Sequence, residues 1–193
     1  MLERFDTATR VPTPWKNGVG NTREIVCCPH GAGLDNFDWR VSIATIAQSG
    51  PFSAFAGVDR TIMLLDGDGV ELQPASGAPH QLDKPHVPFR FAGDVAMHCT
   101  LIGGASTDFN VMTRRSQLRS EVHVLHAATT LPTTPRGLLM VLKGRWQLPG
   151  APTCTPGQGL WWDGTPYGGQ ALPHDTDTDT DAALVWVQLH SGD

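Results

Sequence analysis

Nine polar or charged side chains fall in segments whose other positions suit buried β-strands: Lys16, Asn17, Arg40, Ser42, Ser53, Arg60, Asp108, Asn110 and Arg114. Guanidinium forks hold carboxylates in a two-pronged geometry, while asparagine and serine orient the rest of a small acid. In Phe37-Asp38-Trp39-Arg40-Val41-Ser42-Ile43-Ala44 the alternation is strict. Trp39, Val41 and Ile43 share one face of a strand, and Arg40, Ser42 and Ala44 share the other. In Asp108 to Arg114 the same parity groups Asp108, Asn110, Met112 and Arg114. A buried arginine is costly unless paired. Such a lining is therefore neutralised internally, by Asp108 or Glu24, or it receives an anionic ligand. An ion pair or solvent exposure explains any one of these residues; the set together points to a ligand site.

Other chemistries find less support. Eight histidines occur, but none forms the His-x-His pair that a metal site on one strand would use. His123 and His126 face opposite ways in a strand, and His80 and His86 lie in a Pro-rich stretch. No Gly-x-Ser-x-Gly elbow occurs, and no cysteine has a motif for a lowered pKa. Gly18-Val19-Gly20 lacks the strand-to-helix context of a phosphate cradle and reads as a turn. The acidic run Asp175 to Asp181 lacks the glycine and terminal glutamate of a calcium loop and reads as a mobile surface loop.

The elements that must position these residues are strands. The chain has 193 residues, with 21 Gly and 15 Pro, which suits short strands joined by turns rather than long helices. Strands are expected around 23–28, 38–47, 60–66, 69–73, 87–91, 95–102, 109–115, 120–126, 138–143, 145–148, 159–163 and 183–190. Ile62 to Gln73 and Leu139 to Leu148 are alike: a buried strand, a residue-Gly turn and a second strand. That likeness favours two similar β-barrels or sandwiches. The boundary is expected near 116–135, with Thr129 to Pro135 as a linker or exposed loop.

The net charge of −5 argues against nucleic-acid binding. The four cysteines, Cys27, Cys28, Cys99 and Cys154, form no C-x-x-C pair and read as reduced thiols of a cytoplasmic protein. The N-terminus lacks a signal-peptide core, and no apolar run reaches membrane-span length.

Several strings together resemble the HutD/Ves family of bacterial proteins. They are Pro14-Trp15-Lys16-Asn17-Gly18 with Thr22 and Glu24-Ile25; Trp39 to Ala44; and Gly50-Pro51-Phe52-Ser53 with Phe55, Gly57 and Asp59-Arg60. Leu65 to Gly69, Gly93-Asp94, and Asp108 to Met112 with Arg114-Arg115 complete the set. Val19 stands where a glycine is usual, and Ala56 where a proline is usual.

The resemblance implies an all-β cupin (double-stranded β-helix, or jelly-roll) fold with two cupin-like barrels in one chain, a bicupin. Residues 1–115 would form the first barrel with the ligand pocket, and 116–193 the second. It also implies a link to histidine degradation through binding of formylglutamate or a related acid, with no cofactor and no metal. On that expectation Arg40, Arg60 and Lys16 anchor carboxylates. Asn17, Ser42 and Ser53 orient polar groups, Trp39 packs the wall, and Asp108, Asn110 and Arg114 complete the site. The expected partner is a small anionic metabolite, with neither nucleic acid nor membrane; a homodimer is an open alternative. The rival expectation is a metal-free cupin enzyme, an epimerase or amide hydrolase, with His98 or Asp108 as general base.

Overall fold

The computed structural model describes residues 1–15, 18–174 and 182–192. Lys16 and Asn17 lie outside the described residues, as does the acidic run 175–181. The chain is all β. Its strands are β1 (Leu2–Asp6), β2 (Thr13–Pro14), β3 (Gly20–Cys28), β4 (Trp39–Ile46), β5 (Gly50–Phe52), β6 (Val58–Asp66), β7 (Val70–Pro74) and β8 (His80–Leu82). They continue as β9 (Phe89–Ala92), β10 (Met97–Leu101), β11 (Ser106–Arg114), β12 (Leu118–Leu125), β13 (Thr129–Lys143), β14 (Trp146–Gln147), β15 (Gln158–Pro173) and β16 (Ala183–Ser191).

Two compact units result. One joins Met1–Thr9 to Ser120–His190; the other is Arg10–Arg119 with the chain end from Ser191. β1 pairs antiparallel with β15, Leu2 opposite Trp162, which ties the first residues to the C-terminal unit. That unit is a six-stranded sheet in the order β1-β15-β13-β16-β12, with β14 paired to β15. Leu139, Val141, Trp146, Leu160, Trp162 and Leu184 fill its core.

The 10–119 unit holds a six-stranded sheet, β2-β3-β4-β11-β6-β9, and a four-stranded sheet, β5-β10-β7-β8. Ile46, Ile62 and Leu64 from the larger sheet pack with Val70, Leu72, Leu82 and Cys99 from the smaller one. Every sheet has open edges, so hydrogen bonding among the described residues closes no barrel. β4 and β11 lie at the centre of the larger sheet, and their Val, Ile and Phe positions suit strands covered on both faces. Trp39, Val41, Phe109 and Val111 are as buried as the residues that alternate with them.

Three stretches differ from the sequence reading. Thr129 to Pro135 is not a linker but the first half of β13, paired with β15 from Thr129 opposite Ala171. β16 joins β13 only from Gly137 onward, so this half is a sheet edge, and its register shifts between Leu131 and Arg136. Edge strands and bulges tolerate prolines, which explains how Pro132 and Pro135 sit inside a strand. His80 begins strand β8 and stacks on Phe89 at 3.5 Å between ring centroids. Ile62 to Gln73 is no hairpin, because β6 and β7 belong to different sheets. The chain crosses between them through Gly67 and Gly69, both at positive φ.

Candidate functional site

The site is built on three neighbouring strands. Met112 of β11 stands opposite Arg40 of β4 on one side and Arg60 of β6 on the other. Two residues back, Asn110 stands between Ser42 and Ile62, and Asp108 between Ala44 and Leu64. Strands lie about 4.8 Å apart, so the two arginine backbones are separated by about 10 Å. Ile62 and Leu64 share this face and belong to the core between the two sheets. Arg40, Ser42, Arg60, Asp108 and Asn110 therefore point indoors, and all five are buried.

Arg60 is the centre of the group. Its Nε and Nη2 donate to Asn110 Oδ1 at 3.3 and 3.0 Å, and its Nη1 donates to the Ser53 carbonyl at 3.3 Å. Three phenylalanines surround the guanidinium. Its carbon lies 4.4 Å from the Phe52 ring centre, 5.3 Å from Phe91 and 5.5 Å from Phe55. Aromatic faces attract cations, but neither they nor the two neutral oxygens carry a full negative charge. No carboxylate lies within ion-pair distance of Arg60 among the described residues. Burial and the like charge of Arg40 push the Arg60 guanidinium down to about 9, against an opposing pull from Asp108.

Arg40 is neutralised differently. Its Nε donates to Glu24 Oε2 at 2.7 Å, and its Nη1 reaches Ser42 Oγ at 3.2 Å and Met112 Sδ at 3.9 Å. Glu24 is half exposed, so this ion pair sits at the rim of the buried face.

Both acidic residues of the site stand at β-bulges. The β3–β4 register shifts between Glu24 and Val26, and the β11–β6 register shifts between Thr107 and Asp108. The extra residue is Ile25 on β3 in the first case and Leu65 on β6 in the second, so Asp108 keeps the regular alternation of β11. Asp108 is fully buried, and neither carboxylate oxygen has a hydrogen-bond donor among the described residues. Burial pushes its carboxyl up to about 7, although Arg60 pulls the other way.

The remaining expected site residues are placed elsewhere. Trp39 is buried on the opposite face of β4. Ser53 is exposed and contributes its carbonyl, not its hydroxyl. Arg114 has the expected parity but lies at the end of β11. Its guanidinium donates to the carbonyls of Phe37 and Asp35, both at 3.0 Å, and so ties down the loop before β4. His98 is exposed on β10, which removes it as a base for this site.

Other motif residues hold the scaffold. Asp59 pairs with Arg90 at 2.9 Å and Arg115 at 2.8 Å, and Arg115 also meets Asp94 at 2.7 Å. Asp94 accepts from the Gly57 amide. These contacts brace the start of β6 against the turn after β9, which fixes Arg60 relative to Phe91. At Gly93, a Cβ would lie 2.7 Å from the Val58 carbonyl and 3.2 Å from the Arg60 side chain. Phe91 and the aromatic surround are what the sequence reading missed; alternating Phe89-Arg90-Phe91 was the available signal.

The HutD family model matches residues 7–182. Protein Ves of Cronobacter sakazakii is 41% identical over 162 residues, covering 83% of this chain and 87% of its own. HutD from Pseudomonas fluorescens SBW25 is similar in structure with a TM-score of 0.85 at 27% identity, covering 100% of both chains. A cupin 2 conserved barrel domain protein from Leptotrichia buccalis has a TM-score of 0.60 at 10% identity, over 97% of this chain and 96% of its own, and so shares the fold alone. With the family model matching most of its length and a 41% identical relative covered over 87% of its own, the chain belongs to the HutD family of cupin-fold proteins.

Proposed function

We propose that this protein binds a small anionic metabolite, such as formylglutamate or a related acid, without turning it over, and thereby modulates histidine degradation in the cytoplasm. In this reading the two units act as two cupin-like barrels. The first, the Arg10–Arg119 unit, carries the ligand, and the second, Ser120–His190 joined by Met1–Thr9, has a supporting role. One observation carries the proposal: Arg60 is a buried guanidinium held by neutral oxygens and aromatic rings, with no carboxylate paired to it. A buried charge without a counter-ion is unfavourable, and an incoming carboxylate supplies that counter-ion through charge-assisted hydrogen bonds. Asn110 and Ser42 stand beside it to meet an amide or formyl group. Calorimetric titration with N-formylglutamate, glutarate and glutamate tests the reading. Saturable heat with at least one acid is expected; no heat with any at millimolar concentration defeats it.

A second reading is favoured by Asp108 alone. A buried, unpartnered carboxyl raised to about 7 beside a cation suits a general base. A metal-free epimerase or amide hydrolase would use it so. Turnover of one of these acids, abolished in Asp108→Asn, would establish this reading in place of simple binding.

A further inference from the structure

Asp108 has an unusual electrostatic position. Its cross-strand neighbours, Ala44 on β4 and Leu64 on β6, carry no charge. On its own strand, Asn110 and Met112 are neutral. Cys99, facing it from β10, has its thiol pushed up to about 12 by burial and by Asp108 itself, so it stays neutral. The positive group that acts on Asp108 is Arg60, and the second positive group nearby, Arg40, is already paired with Glu24. Among the described residues, this interior thus holds one unpaired guanidinium and one carboxyl that answers to it without touching it. Regular alternation along β11 sets this relationship, because it puts Asp108 on the inward face of Asn110 and Met112, at a level where the cross-strand neighbours are apolar.

We infer that Asp108 is the internal counter-charge of Arg60, and that an anionic ligand replaces it: when a carboxylate binds at Arg60, Asp108 takes up a proton from solvent. This rests on the reading of Arg60 as the anion site. One guanidinium cannot balance two carboxylates inside a medium of low dielectric. Of the two, the ligand makes direct hydrogen bonds and Asp108 makes none, so Asp108 is the one neutralised. The proton comes from the buffer and ends on a carboxylate oxygen of Asp108; no covalent bond of the ligand changes. The site therefore selects acids whose carboxylates are fully ionised at neutral pH, and it binds each of them together with one proton.

The sign of the pH dependence follows. Free Asp108 titrates near pH 7, and the bound anion moves it higher. Below that range Asp108 is already protonated and affinity is flat. Above it, binding must first take up a proton, so affinity falls as pH rises, by up to tenfold per unit. Up to pH 8.5 Arg60, held near 9, keeps most of its charge, and the part it loses changes affinity by less than about twofold.

The test is calorimetry of the full chain with N-formylglutamate, at pH 7.5 in phosphate and in Tris, whose ionisation enthalpies differ. Wild type is expected to take up between about half and one proton per ligand. Its affinity should weaken about tenfold or more from pH 6.5 to 8.5. Asp108→Asn should take up none and bind equally at the two pH values. Binding by wild type with no proton uptake overturns the coupling and leaves the anion site standing. Uptake that persists in Asp108→Asn overturns it as well, since the proton then goes elsewhere. Absence of binding by N-formylglutamate, glutarate and glutamate alike, at either pH, defeats the anion site itself and the coupling with it. If Asp108→Asn does not fold, the two-buffer comparison on wild type decides alone.

Discussion

Arg60 reaches a single oxygen of Asn110 with two of its nitrogens, Nε at 3.3 Å and Nη2 at 3.0 Å. That contact ties the guanidinium to the strand that also carries Asp108. It leaves the charge uncompensated, because an amide oxygen is a dipole and not an anion. The consequences below derive from this combination of a fixed position and an unbalanced charge.

The fold should become less stable as pH rises from about 4 to about 7. Asp108 has a folded-state value near 7, against about 3.9 in an unfolded chain. Between these values the native state holds more protons than the unfolded state, so unfolding free energy falls with pH. The contribution is on the order of 4 kcal/mol at most, spread over that interval and constant above it. Asp108→Asn should remove this slope and be the more stable protein at pH 8. Urea unfolding at pH 5 and pH 8 measures both; an equal slope in wild type and variant would refute the assignment.

Glu24→Gln should strengthen anion binding while weakening the fold. It removes the 2.7 Å ion pair to Arg40; Glu24 is half exposed but Arg40 is buried and loses its counter-charge, so the cost is about 1–3 kcal/mol. The freed Arg40 adds a second uncompensated positive charge to the same face. Affinity for a dicarboxylate should rise severalfold, read by calorimetry together with a melting curve. Weaker binding in this variant would mean that Glu24 itself contacts the ligand.

Gly69→Ala should be strongly destabilising and Gly31→Ala mildly so. Both glycines have positive φ, +92° and +84°. A Cβ at Gly69 would lie 2.2 Å from the Leu82 carbonyl oxygen, whereas at Gly31 nothing lies within 4 Å. The backbone conformation alone costs about 1–2 kcal/mol, and the overlap at Gly69 adds about 1–3 kcal/mol. Chemical denaturation of the two variants should separate them by at least that second amount; equal losses would contradict the close packing of β6–β7 on β8.

Much of the site was legible in the sequence because alternation in a strand is a geometric rule. Arg40 and Ser42 interrupt an otherwise apolar strand at every second position, and Asp108, Asn110 and Met112 do the same on β11. The parity argument placed them on one buried face. It failed for Arg114, because at the end of a strand a long side chain can reach loop carbonyls instead of following its Cβ direction. It also could not assign the counter-charges. Glu24 meets Arg40 beside a register shift, and Asp108 finds no donor among the described residues; neither a one-residue insertion in a ladder nor a missing donor leaves a clear mark in composition or spacing. Thr129 to Pro135 read as a linker because its two prolines forbid a central strand. Only the pairing pattern shows that this part of β13 is an edge. The ring of Phe52, Phe55 and Phe91 arises when a turn, a short strand and a third strand converge, which no local pattern encodes.

The most direct measurement is calorimetric titration of N-formylglutamate into wild type and Arg60→Met at pH 6.5. Loss of a charge-assisted contact to a buried guanidinium is worth about 1.5–3 kcal/mol, so affinity should drop by about ten- to a hundredfold while the fold persists by circular dichroism. Equal affinity in a folded Arg60→Met would contradict the claim that this arginine is the anion anchor.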